Sequence, residues 1–517
     1  MIATPRVLAL DVGSQSVRAA LFTRDGTMTA LAARPAPVCD SPQPGFAQVD
    51  PAQFFDQLRD ACQDLALGEP DQWSSVAGVA LASQRATMVF MDADDRPSRP
   101  AILWSDQRTC EPTGGVGGIV GLGIAVAGAR SIVRDLRARA PAAWVALNEP
   151  GIWANTRTVA LLSSYLNFRL TGEWVDSSGS QVGYLPFDFR RHRWHGPRNW
   201  RWRALGPLVP QQLVALRPPC AALGRLQADS ARALSLPPST PVFAAAADKA
   251  CEVLGAGCVD STTACLSYGT AATVNIPHER YGTVRRFLPA YPAAQPQRFL
   301  SEVQIHRGFW LVTWFLREFG LSERQKALRD GVAVETLLET LLEDSRAGAR
   351  GLVAQPYFTP GVLVPGPEAR GALIGFLEEH TRAHVYRALI EGLIFELRHA
   401  LEYLEKRRGW RVDEVIVAGG GSASDAIMQI TADILGRAAL RPGTSQCTSL
   451  GAAMCAAVGL GWHADIHAAV RKMCRDEQRF VPTAASASVY EPLFRDVYRP
   501  LYRRLRPLYR RLLRIAR

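Results

Sequence analysis

Leu8-Ala-Leu-Asp11-Val-Gly13-Ser14-Gln-Ser16-Val-Arg18 decides the fold. It reads as strand, Gly-Ser turn, strand. Cys265-Leu-Ser-Tyr-Gly269-Thr270-Ala-Ala-Thr-Val-Asn275 repeats that pattern in the second half. A loop of small residues lets backbone N–H groups approach phosphate oxygens with no Cβ in the way. Gly13-Ser14 and Gly269-Thr270 have that chemistry, with a hydroxyl added, so two such hairpins can hold phosphates from both sides. Either hairpin alone is an ordinary β-turn. Asp11, just before the first turn, can hold a hydrated Mg²⁺, which keeps several waters and takes one or two carboxylates.

Between the hairpins lies Asp248, after the alanine run Ala244 to Ala247. The run reads as the end of a buried strand, and Lys249 to Leu254 as the helix that follows. Taken alone, Asp248 would be a helix N-cap. Between two phosphate hairpins it is a candidate base for a phosphoryl acceptor.

Val7–Asp11, Val17–Phe22 and Thr27–Leu31 read as strands, with Asp25-Gly26 as a turn. Phe54, Phe55, Leu58, Cys62 and Leu65 share one face of an expected helix, Pro51–Leu67, capped by Asp50. Val76–Ala82 and Met88–Asp92 are further strands. Ala154–Leu170 is expected to be a helix, ending before Thr171-Gly172. Thr381–Arg407 is the longest, with Val385, Leu389, Leu393, Leu397, Leu401 and Leu404 on one stripe. Strand Glu414–Ala418, the Gly419-Gly420-Gly421 turn, helix Ser424–Leu435, a strand near Ala439–Arg441 and a helix from Leu450 complete the alternation. It predicts an α/β protein.

The 517 residues are too many for one core, so two domains are expected. The ten cysteines show neither C-x-x-C pairs nor zinc spacing. Cys251, Cys258 and Cys265 read as small buried core residues rather than ligands. Free thiols and no export signal predict a cytoplasmic protein. The apolar stretch Gly114 to Ala129 is short of a membrane span and rich in glycine, and reads as a loop or packed insert. Nine arginines lie between Arg495 and Arg517 and supply much of the net charge of +11. They read as the solvated face of a helix whose apolar stripe packs on the protein. No nucleic-acid motif accompanies them, and neither nucleic acid nor a firm membrane association is expected.

Gly419-Gly420-Gly421, between strand and helix, brings backbone close to something flat or anionic. As G-x-G-x-x-S it is a poor dinucleotide fingerprint, and Arg441 stands where an acid would read the ribose. An NADP-dependent oxidoreductase could use that arginine, but it leaves Asp11, Asp248 and both hairpins unemployed.

In order along nearly the whole chain, these elements resemble the FGGY carbohydrate kinases, a branch of the sugar kinase and actin-type ATPases. Asp11-Val-Gly13-Ser14 to Arg18 resembles the family's D-x-G-T-x-x-x-R. Gly45-Phe-Ala-Gln48-Val-Asp50-Pro51 is similar to its G-x-x-E-x-D-P, with Gln48 in place of Glu. Ser83-Gln84-Arg85-Ala86-Thr87 and Trp104-Ser-Asp106-Gln-Arg108 resemble its sugar-contacting motifs, and Leu170-Thr-Gly-Glu173 its L-T-G-E. Asp248 with Leu254-Gly255-Ala-Gly257 resembles the catalytic motif, with Ala247 where Gly is usual. His380-Thr381, Arg387-Ala388 and Glu391-Gly392 resemble its long helix. Gly419 to Gly421, Gln429, Ala432-Asp433 and Leu450-Gly451-Ala-Ala453 resemble its adenosine motif.

The resemblance implies two actin-like (ribonuclease H-like) domains with a nucleotide cleft between them. The boundaries are 1–257, 258–462 and an Arg-rich helical extension, 463–517. It implies ATP-dependent phosphorylation of a sugar or polyol hydroxyl, with a pentulose as first substrate. Asp248 is the implied general base. ATP is assigned to Gly13, Ser14, Arg18, Gly269, Thr270, Gly419, Gly420, Gly421 and Ser424, the acceptor to Gln84, Arg85, Asp106 and Asp248, and Mg²⁺ to Asp11. Ala86 stands where glycerol kinases carry the Glu that binds glycerol, which argues against glycerol. A non-catalytic sugar-sensing ATPase of the same fold is the other alternative, and a homodimer is one option for assembly.

Overall fold

Along Arg6–Val12 the side chains alternate between two covered faces. Leu8, Leu10 and Val12 join the core that Phe54, Phe55 and Leu58 of the Pro51–Gly68 helix complete. The period of two sends Val7, Ala9 and Asp11 to the opposite face. The Cys447–Gly459 helix packs against this strand and its neighbours. The computed structural model describes residues 4–111, 116–126, 128, 130–285, 288–361, 365–475 and 477–515.

The chain divides into two compact units. The first comprises Met1–Val259, His278–Leu300 and Gln446–Arg475, the second Asp260–Pro277, Ser301–Ser445 and Asp476–Arg517. The first unit's main sheet runs in the order Ala222–Arg225, Pro241–Ala247, Val76–Ser83, Arg6–Val12, Ser16–Thr23, Met28–Pro35. Arg6–Val12 pairs antiparallel with Ser16–Thr23 and parallel with Val76–Ser83. A smaller sheet joins Gln48–Val49, Ala101–Ile102, Met88–Met91 and Thr158–Leu161.

That last strand corrects the helix expected over Ala154–Leu170. The structure has a short helix Pro150–Asn155, the strand Thr158–Leu161, then a helix Leu162–Thr171 closed by Gly172 in the left-handed region. Thr158 and Val159 are β-branched, and the strand is buried along its length against Met88–Met91. An apolar run buried all round has no periodicity that separates strand from helix. Of the loop or packed insert expected over Gly114 to Ala129, the loop alternative does not hold for the middle of the stretch. Gly118–Val126 is helical, while 112–115, 127 and 129 lie outside the described residues.

In the second unit, Ala272–His278, Thr263–Tyr268, Glu414–Ala418, Ala438–Arg441 and Gln478–Phe480 lie side by side. The Arg382–Arg408 helix packs on Val353–Gln355 and on the Asp425–Leu435 helix. The arginine-rich end is the helix Arg499–Ile515, entered through a π-helical turn, Leu493–Tyr498. Tyrosines dock it. Tyr498 donates to Glu396 at 3.1 Å, Tyr502 to Glu368 at 2.9 Å and Tyr509 to Gln355 at 2.7 Å. No described helix is long and apolar enough to cross a membrane.

Two glycines set the tightest approach in the first unit. A Cβ on Gly255 would stand 1.9 Å from the Cys447 carbonyl oxygen, and one on Gly451 2.0 Å from that of Cys251. The Asp248–Gly255 and Cys447–Gly459 helices therefore meet backbone to backbone. Gly451→Val should destabilise the protein by about 3 kcal/mol or more, the upper end of overpacking costs. Gly68→Ala, with open space around it, should change stability by less than about 1 kcal/mol. Urea unfolding of both variants checks this.

Candidate functional site

The first unit gathers its candidate residues at the carboxyl ends of three adjacent strands. Asp11 stands opposite Arg18 in the antiparallel register and pairs with it at 3.3 Å. The turn between them closes through a bond from the Gly13 N–H to the Ser16 carbonyl at 3.0 Å, leaving Ser14 exposed. Burial pushes the Asp11 carboxyl up to about 7. Arg18 opposes that rise, and the negative charges of Asp248 and Glu252 add to it.

Asp248 is the first residue of its helix, with Ala247 in the capping position. Its Oδ1 accepts the Lys249 backbone N–H at 2.7 Å. Burial raises its carboxyl above the ordinary range, while Arg85 and Lys249 pull it down. Lys249 also pairs with Glu252. Gln84 is buried, and its backbone N–H bonds to Val12 at 2.9 Å. This ties the Ser83-Gln84-Arg85 segment to the end of the Asp11 strand. The Arg85 guanidinium lies 5.4 Å from the Tyr291 ring centroid. Ala86 has a φ of 61° and faces Gly183, where a Cβ would come within 3.0 Å of its methyl.

Asp106, expected to contact the acceptor, is engaged by protein groups on both carboxylate oxygens. Oδ1 accepts the Arg108 backbone N–H at 2.8 Å, and Arg108 Nε lies 2.9 Å from both carboxylate oxygens. Oδ2 also accepts the Ala47 N–H at 2.6 Å and pairs with Arg108 Nη2 at 2.8 Å. The carboxylate's oxygens are thus taken by its own loop and by Ala47. Arg108 in turn stacks on Phe46 and Trp144.

In the second unit, Gly269, Thr270 and Ala271 form the turn between Tyr268 and Ala272. The Gly308 N–H donates to the Thr270 carbonyl and the Phe309 N–H to that of Gly269, both at 2.9 Å. A Cβ on Gly308 would meet the Ala272 nitrogen at 2.2 Å. The three glycines after Glu414–Ala418 have separate reasons. Gly419, at φ 90°, lies against the Tyr268 backbone. Gly421 receives the edge of the Phe309 ring, which stacks on Tyr268 at 4.5 Å between centroids. Gly420 alone of the three faces open space.

Ser424, expected at the nucleotide, instead caps the Asp425–Leu435 helix, its Oγ accepting the Ile427 N–H at 3.1 Å. Arg441 donates to the Ser422 and Ala423 carbonyls, pairs with Asp425 at 2.7 Å and stacks on Phe480. It is a brace for the glycine turn, which removes the NADP reading's phosphate reader. Phe309, Gly308 and Tyr291 were missed from sequence. Gly308-Phe309 after a strand is a weak local signal, and Tyr291 carries none.

Two α/β units, each with a small-residue hairpin, and a buried strand ending at an aspartate define a phosphotransferase of sugar-kinase type. The sequence patterns of the FGGY family of carbohydrate kinases match here, the N-terminal domain over residues 6–255 and the C-terminal domain over 264–460. The chain belongs to that family. It is 27% identical over 503 residues to a xylulose kinase of Bacillus subtilis (strain 168), covering 96% of each chain. It is 29% identical over 507 residues to a glycerol kinase of Methylibium petroleiphilum, covering 92% of this chain and 95% of that one. The crystal structure of xylulose kinase from Rhodospirillum rubrum superposes with a TM-score of 0.79 at 26% identity, covering 98% of this chain and all of that one. The protein is therefore a carbohydrate kinase that phosphorylates a small-molecule sugar or polyol with ATP as donor. Neither the oxidoreductase nor the sugar-sensing ATPase finds support.

The raised Asp11 carboxyl fixes a pH dependence. Its folded value of about 7 exceeds the ordinary aspartate value of 3.8, so the folded state binds more protons between these limits. Stability contributed by this group is full below the lower value and is lost as pH rises through the upper one. Asp11→Asn should thus raise the melting temperature relative to wild type at pH 8, with the gain shrinking towards pH 4. Thermal unfolding of both proteins across that range checks the sign.

Proposed function

We propose that the chain transfers the γ-phosphoryl group of ATP to a hydroxyl of an open-chain ketose of pentulose size, with Asp248 accepting that hydroxyl's proton. The carrying observation is Asp248 itself: a carboxylate at the head of a helix, raised in pKa by burial and held down in part by the charge of Arg85. A base whose pKa is drawn towards neutrality takes a proton more readily than an ordinary aspartate. Phosphoryl transfer asks mainly for positioning and charge stabilisation. Arg85 and Gln84 orient the acceptor, and Asp106 keeps the neighbouring loop in place through Arg108. The likeness to xylulose kinases supports the pentulose. Glycerol kinases are also among the relatives, but the Ala86 methyl offers a short triol no carboxylate.

The small-residue turn at Gly13 and Ser14 with Arg18, and the turn at Gly269 and Thr270, are the candidates for phosphate contact. Gly420 leaves room against the adenosine, with Gly419 and Gly421 shaping that turn and Ser424 supporting it as a cap. Asp11 suits Mg²⁺: a buried carboxylate pushed up to about 7 lacks countercharge, and Arg18 supplies only part of it. The ion would neutralise charge on the phosphates. We assign residues 1–257 to sugar binding and the base, 258–462 to the nucleotide and 463–517 to a helical extension. Ten cysteines with no disulfide among them suit a reducing cytoplasm.

Asp248→Asn should keep ATP binding and lose sugar-dependent turnover by at least about 10²–10⁴-fold, the scale of general-base assistance. A coupled ADP-release assay with D-xylulose measures it, and near-wild-type turnover by a folded variant removes Asp248 from the chemistry. Gly420→Val should fold normally, since its Cβ meets nothing, yet bind ATP more weakly by calorimetry. Unchanged affinity places the adenosine elsewhere.

A further inference from the structure

A second, cation-lined pocket lies in the first unit, at the other end of the strands that carry Asp11 and Arg18. Thr4, Thr23, Arg24, Asp25, Thr27, His463, Lys472 and Arg475 line an open surface depression of about 680 Å³. The seven residues of Arg6–Val12 separate it from the Gly13 turn, about 20 Å at strand rise. It is thus remote from the residues assigned to the phosphates of ATP. Its walls are fixed. The Asp25-Gly26 tip is set against Met473, since a Cβ on Gly26 would stand 2.3 Å from the Met473 carbonyl oxygen. Arg24 donates through Nε and Nη2 to the Trp462 carbonyl, at 3.1 and 2.6 Å. His463 bonds to the Arg24 carbonyl at 2.8 Å. Arg475 pairs with Asp25 at 3.4 Å.

Three cations face a single carboxylate there, and Asp25 is already engaged by Thr23 and Arg475. Lys472 is exposed in the last turn of the Ile466–Met473 helix, and no described carboxylate pairs with it. A helix C-terminus favours a cation there but leaves the ammonium's hydrogen bonds unused. Lysine meets phosphate as a strongly hydrated point charge, and guanidiniums add directed donors. The threonine hydroxyls suit a polyhydroxylated body. The depression is open to solvent and wide enough to admit more than one phosphate ion.

We propose that this pocket binds a sugar phosphate, separately from the catalytic substrates. The anion meets Lys472, Arg24 and Arg475, and the sugar hydroxyls meet the threonines. Calorimetry without ATP or ketose tests it with four probes: glucose 6-phosphate, glucose, inorganic phosphate and tripolyphosphate. Glucose 6-phosphate should bind with a dissociation constant below about 1 mM, which glucose and inorganic phosphate should not match. Lys472→Glu and Lys472→Ala should each weaken that binding, the former by about tenfold or more, with the melting temperature unchanged. Equal binding by wild type and both variants would place the ligand elsewhere and overturn the proposal. So would the absence of binding. Tripolyphosphate binding without glucose 6-phosphate binding would sink the sugar-phosphate assignment.

Discussion

The approach of two helix backbones at Gly255 and Gly451 governs the first unit. The Cys447–Gly459 helix lies on the central strands through small residues, among them Ala452, Ala453, Ala456 and Ala457, all buried. Such a surface lets the Asp248–Gly255 helix come as close as main chain permits. Its first residue is thereby held at the end of Pro241–Ala247, next to the strand that ends at Gln84 and Arg85. A carboxylate placed by backbone contact has little freedom to drift, which a positioning-dependent reaction requires. The alanine run Ala244 to Ala247 serves the same end, because bulkier side chains would lift the helix from the sheet.

Buried carboxylates fall into two kinds, told apart by their donors. Asp176 accepts from Ser163, Ser164, Asn167, Gln181 and the Ser177 N–H, at 2.7 to 2.9 Å. Asp106 is held by Arg108 and Ala47. Both are structural: their oxygens are taken. Asp11 keeps one ion pair and Asp248 one bond from its neighbour's backbone. Burial raises Asp176 as well as Asp11 and Asp248, so the difference lies in the lone pairs that Asp11 and Asp248 retain for a cation or a proton. The number of protein donors thus sets Asp11 and Asp248 apart from Asp106 and Asp176.

The arginine-rich C-terminus shows how a charged segment can be mostly architecture. Tyr490, Tyr498, Tyr502 and Tyr509 point into the second unit, and each hydroxyl meets a buried or half-buried acceptor. Tyr490 and Arg387 share Glu391, whose carboxyl burial pushes up to about 7. The arginines between the tyrosines are largely left at the surface, in keeping with a helix whose one side is spoken for.

Much of the fold was legible in sequence because its signals are local. The hairpins at Gly13 and Gly269, the helix capped by Asp50, the long helix from Arg382 and the strand-to-helix step at Asp248 follow from periodicity, capping and small-residue runs. So does the order of motifs that marks the family. What the sequence could not determine depends on partners distant along the chain. Thr158–Leu161 is a strand because Met88–Met91 pairs with it. Asp106 is a brace because Ala47 and Arg108 fill its oxygens, and Ser424 is a cap because the helix after it needs one. Only one glycine of Gly419–Gly421 faces open space, because Tyr268 and Phe309 occupy the other two. Local chemistry names the groups that could act; which of them have lone pairs and space left is decided by what the tertiary fold packs against them.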